Sequence, residues 1–86
     1  MQQFTYVIND PLGLHARPAG LLAKLAKPYA ETVISVTKGD KTVKASQLMK
    51  LMSMGIKQGD VVTVAADGPS EEAAIAAMQT FFQENL

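Results

Sequence analysis

Turn-forming residues recur so often in this 86-residue chain that nothing between them can become a long element. Asn9-Asp10-Pro11-Leu12-Gly13, Lys38-Gly39-Asp40, Gln58-Gly59-Asp60 and Asp67-Gly68-Pro69-Ser70 are rich in residues that favour tight turns, and Pro28 and Gly55 add two further stops. The pieces left over are short, and 86 residues suffice for one small domain, not two. No apolar run approaches the ~20 residues needed to cross a bilayer. Met1-Gln2-Gln3-Phe4-Thr5 lacks the basic-then-apolar layout of a secretion signal. A soluble, cytoplasmic protein is therefore expected, without membrane insertion. With no cysteine and one histidine, neither a disulfide framework nor a thiolate or histidine metal site is expected.

The pieces have distinct periodicities. Phe4, Tyr6 and Ile8 alternate as in a half-buried strand. Residues 16–27 place Ala19, Leu22, Ala23 and Ala26 on one helical stripe; Pro18 is tolerated in the first turn, and Pro28 ends the helix. Residues 32–37 and 41–44 read as strands joined by the Lys38-Gly39-Asp40 hairpin. Ser46 is expected to cap a short helix running to about Ser53, stopped by Gly55. Val61 to Ala66 is apolar on both faces, as in a well-covered strand. Ser70 then reads as the N-cap of a last helix, with Glu71 and Glu72 near its positive end and Ala74, Ala77, Met78 and Phe81 as its apolar stripe. The order is βαββαβα. An α+β fold follows, with a four-stranded, mainly antiparallel sheet, three helices on one face and the other face open to water.

Charge is balanced overall but not along the chain. Eight bases and three acids up to Lys57 leave +5; the five acids after it leave −5. The basic half suits acidic partners as well as it suits ordinary solvated surface. Nucleic acid is a poor candidate, because the lysines are scattered and lack interleaved aromatics.

Gly13-Leu14-His15-Ala16-Arg17-Pro18-Ala19 carries the chemistry. It contains the only histidine and the only arginine, at the loop-to-helix junction. Backbone N–H groups in a first helical turn have no intrahelical partner and favour an anion. A phosphoryl group on His15 would meet the Ala16 and Arg17 amides, with the Arg17 guanidinium matching its oxygens. Imidazole is a competent nucleophile near neutral pH because part of it is uncharged. Gly13 is expected to let the backbone approach a ligand or partner closely. A lone histidine near a helix start is more often structural; the arginine two residues on and the proline in the same turn shift the balance toward function.

This heptapeptide resembles the signature of HPr, the histidine-containing phosphocarrier family of the phosphoenolpyruvate-dependent sugar phosphotransferase system. The similarity runs the length of the chain and includes Gly39, Leu48 to Ile56 with its Met-Gly-Ile end, Gly59 and the Val61–Ala66 strand. The resemblance implies a single HPr-like domain over 1–86 with the open-faced β-sandwich fold. It implies that His15 takes a phosphoryl group on Nδ1 from enzyme I and passes it to IIA domains of sugar permeases, with Arg17 holding the oxygens. The protein would be a carrier with a transient phosphohistidine and no cofactor, rather than an enzyme. A regulatory or adaptor module of the same fold is the alternative, although such relatives tend to lose the histidine.

A carrier must also dock. Arg17, Gly20, Leu21 and Lys24 fall opposite the buried stripe of the first helix. Leu48, Met49, Leu51 and Met52 are too many apolar residues for so short a second helix to bury, and methionine suits a surface that meets several partners. The family pattern turns Leu48, Met49 and Met52 outward, with Lys24, Lys27 and Lys50 as a basic rim. Counting from His15, Ser46 falls where many relatives carry a regulatory serine, substrate of an HPr kinase. Counting back from Met54-Gly55-Ile56, that place is Gln47, and Asp40 in the hairpin turn reads as the one-residue insertion responsible. Ser46 is therefore read first as an N-cap and second as a modification site. A monomer is expected.

Overall fold

The computed structural model describes residues 1–29 and 31–86. Its elements are β1 (Gln2–Val7), α1 (Ala16–Ala26), a 3₁₀ turn (Lys27–Tyr29), β2 (Val33–Lys38), β3 (Lys41–Lys44), α2 (Leu48–Ser53), β4 (Val61–Asp67) and α3 (Glu71–Asn85). The four strands form one sheet in the order β1-β4-β2-β3, and all three pairings are antiparallel. α3 packs on β1 and β4, α1 on α3 and α2, and α2 on β3. The chain is thus the α+β fold its periodicities imply, and the open-faced β-sandwich the family resemblance implies.

The core lies between the sheet and the helices. Ile34, Val36, Val62, Val64 and Ala66 point inward from β2 and β4 and meet Ala19, Leu22 and Ala26 of α1 and Ala74, Met78 and Phe82 of α3. Phe82 is the largest fully buried side chain; Phe4 and Tyr6 approach it edge-on from β1, with ring centroids 5.7 and 5.5 Å away. Edge-to-face contacts of this kind add to the hydrophobic gain of burying the rings. The stripe of α3 is Ala74, Met78, Phe81 and Phe82, with Ala77 only half-buried. Phe82 takes the inward place because positions 74, 78 and 82 are successive i, i+4 steps facing the β1 aromatics.

Two further expectations need correction. β4 is central, but only one of its faces is covered: Val62, Val64 and Ala66 are buried, while Val61 is exposed. Its apolar outer positions reflect β-propensity on a half-solvated strand, not a second layer. Pro28 does end α1 as expected: the helix closes at Ala26 with Lys27 as its C-cap, and one 3₁₀ turn that contains the proline follows. Ser46 is not a cap. It sits in the turn after β3, α2 begins at Leu48, and Gln47 holds the N-cap position without a side-chain capping bond. Ser70 does occupy the N-cap of α3, but its hydroxyl makes no capping bond. Its N–H donates to Thr32 Oγ1 at 3.0 Å instead.

Candidate functional site

The segment between β1 and α1 is folded by its own side chains and then bolted to the far side of the domain. Asp10 Oδ1 accepts the Leu12 N–H at 2.9 Å, an Asx turn, and Asp10 O accepts the Gly13 N–H at 2.9 Å. Gly13 has φ of +65°, and a Cβ there would run into the Ile56 carbonyl and lie 2.8 Å from Lys57 Cα. The glycine thus serves backbone-on-backbone packing inside the domain, not the approach of a ligand. The Leu14 N–H donates to Ile56 O at 3.1 Å, and the Leu14 side chain is buried in the core.

This anchoring delivers His15 to the N-cap of α1 in an extended conformation, φ −99° and ψ −171°. Its carbonyl accepts the Ala19 N–H at 3.0 Å and so starts the helix. Its half-buried imidazole makes no capping bond. The first turn of α1 holds no acidic residue. Pro18 contributes no N–H, so Ala16 and Arg17 are the amides the helix start offers. Arg17 is exposed and takes part in neither ion pair found among the described residues, Met1–Glu71 and Lys38–Asp60. A nucleophilic ring, two free amide donors and an unneutralised guanidinium therefore meet at one helix start, an arrangement suited to a multiply charged oxyanion. Among the described residues, no group of three His, Cys, Asp or Glu side chains could hold a metal ion.

His15, Arg17 and Leu21 line one open, polar cleft of about 280 Å³ together with Asp10, Pro18, Glu84 and Asn85. Asp10, Glu84 and Asn85 carried no local signal of this: the end of α3 reaches the cleft only through the α1–α3 packing. Leu21 and Asn85 also border an adjoining apolar groove with Lys24, Leu25, Pro28 and Phe81. In α2, Leu51 is buried, whereas Leu48, Met49 and Met52 are exposed, Met49 at 77%. Leu12, in the turn that precedes His15, is 71% exposed; a leucine inside turn chemistry carries no periodicity that would mark it. Lys27 and Ser46 lie apart from these residues, in a separate cleft with Tyr29 and Lys44.

Comparison with known proteins agrees with this geometry. The family described as the PTS HPr component phosphorylation site matches residues 2–84. The phosphocarrier protein HPr of Mycoplasma genitalium is 38% identical over 85 residues, covering 99% of this chain and 97% of that protein. The structure of a mycoplasma histidine-containing phosphocarrier protein superposes with a TM-score of 0.92 at 35% identity, over 96% of this chain and 93% of that one. HPr from Thermoanaerobacter tengcongensis superposes with a TM-score of 0.91 at 39% identity, over 98% and 93%. No helix among the described residues is long and apolar enough to cross a membrane.

Proposed function

This chain belongs to the HPr family of phosphocarriers, and from that premise we propose that His15 accepts a phosphoryl group from phosphorylated enzyme I and hands it to IIA domains of sugar permeases. The observation that carries the proposal is the α1 start, where His15 is a cap without a capping bond and the first turn has no acid of its own. In the transfer, the Nδ1 lone pair of the neutral ring attacks phosphorus while its proton stays on Nε2. The N–P bond forms as the bond to the donor breaks. The Ala16 and Arg17 amides and the Arg17 guanidinium stabilise the oxygens through both halves of the cycle. The next acceptor then takes the group and His15 is regenerated, so the protein carries the group and catalyses no net reaction of its own.

Leu21, Leu48, Met49 and Met52 supply an apolar docking face that adapts to more than one partner. Lys24 and Lys50 form a basic rim that speeds encounter with acidic partners, whereas Lys27, in its separate cleft, stands outside it. The test is incubation with enzyme I and phosphoenolpyruvate followed by mass spectrometry. The native protein should gain one acid-labile phosphoryl group and His15→Ala none. A native protein that gains none contradicts the proposal.

A further inference from the structure

Lys38, at the end of β2, reaches across to the segment that follows α2. Its ammonium donates to Gly55 O at 2.8 Å and pairs with Asp60 Oδ2 at 2.9 Å. The same Asp60 oxygen accepts the Lys57 N–H at 2.8 Å. One cation thus ties both ends of the segment from Gly55 to Asp60. The middle of that segment seats the site: Ile56 O holds the Leu14 N–H, and Gly13 lies against the Ile56–Lys57 backbone. Neighbouring backbone bonds join the segment to β1, from Ile8 N–H to Asp60 O at 3.0 Å and from Gly59 N–H to Ile8 O at 2.8 Å. These secure the Asp60 end; at the Gly55 end the buried Met54 and Ile56 flank the carbonyl that the lysine holds.

We propose that Lys38 and Asp60 are positioning residues for phosphoryl transfer, acting through Ile56 and Leu14 to fix the backbone from which His15 and the α1 amides project. This rests on the function proposed above. Neither residue lines the His15 cleft or belongs to the exposed apolar face of α2, so their effect should fall on geometry and not on docking. The Asp60 carboxyl is held below its ordinary 3.8, chiefly by its bond to Lys38 and then by the Lys57 N–H. Small displacements of a reacting group carry large rate penalties, which makes such a remote clasp consequential.

The experiment compares Lys38→Met and Lys38→Arg with the native protein. Two quantities are read: phosphoryl uptake from enzyme I and phosphoenolpyruvate, resolved into kcat and KM, and hydrogen exchange at the Leu14 amide. For Lys38→Met the expected result is a kcat lower by about tenfold with KM within about twofold of native, and Leu14 exchange faster by about tenfold. The melting temperature should fall by less than about 5 °C, because a surface ion pair contributes little to global stability. Lys38→Arg, which keeps a cation and donors, should recover most of the kcat. A folded Lys38→Met protein with native kcat, or with unchanged Leu14 exchange, overturns the proposal, as does a loss confined to KM. If the native protein takes up no phosphoryl group, the function proposed above fails. Leu14 exchange then still decides whether the clasp governs the backbone before His15.

Discussion

The helices α1 and α3 both begin at a turn, and they treat their N-termini in opposite ways. α3 brings its own anions: Glu71 and Glu72 stand in its first turn, and Glu71 Oε1 turns back to accept the Gly68 N–H at 3.4 Å while its other oxygen pairs with the Met1 ammonium at 2.9 Å. α1 brings none; its first turn reads Ala16-Arg17-Pro18 behind a histidine cap whose side chain caps nothing. The dipole and the unpaired amides are the same physics at both ends. In α3 they are answered from within the chain and contribute to stability. In α1 the chain supplies no acid to answer them, which leaves them free for the phosphoryl group of the proposed transfer.

Substitutions at the two helix starts separate their roles. The largest effect belongs to His15→Ala, which should abolish phosphoryl uptake while shifting stability by no more than about 0.5 kcal/mol, measured by denaturant unfolding. Arg17→Ala should come next, slowing uptake on the order of tenfold to a hundredfold in a stopped assay, because the amides alone must then stabilise the oxygens. Ala16→Glu would make α1 resemble α3: the helix should gain about 0.3–1 kcal/mol from the filled N-terminus, and uptake should fall severalfold. Stability and transfer moving in opposite directions is the signature sought. The smallest effect belongs to Glu71→Gln, which should lower the melting temperature slightly at neutral pH and leave uptake unchanged. The Glu71 carboxyl is held below its ordinary 4.5, first by its bond to the N-terminal ammonium and then by the Gly68 N–H. Its contribution is therefore present above that value and lost as pH falls through the folded-state value, so native and Glu71→Gln melting curves should converge in acid.

Which parts of this were legible in the sequence follows from how local each cause is. The strand alternation of Phe4, Tyr6 and Ile8, the α1 stripe and the junction at His15 depend on neighbours within a turn or two, and they stand as expected. The role of Gly13 is not local, because the backbone it packs against, at Ile56, is a long way along the chain. The inward place of Phe82 depends on β1 aromatics that meet it only in the fold, so helical spacing alone points to Phe81. Ser46 looked like a cap by residue type, yet α2 starts two residues later. Glu84 and Asn85 reach the His15 cleft solely through helix packing, which no local pattern encodes.

If the proposed transfer occurs, the phosphoryl group rests at the start of α1, which carries no acid of its own. Nitrogen-resolved NMR of the protein phosphorylated by enzyme I and phosphoenolpyruvate tests it directly. Phosphorus coupling is expected at His15 Nδ1, with the Ala16 and Arg17 amides shifted strongly downfield and the Glu71 amide at the start of α3 unmoved. Phosphorus on Nε2, or Ala16 and Arg17 amides that do not respond, would contradict it.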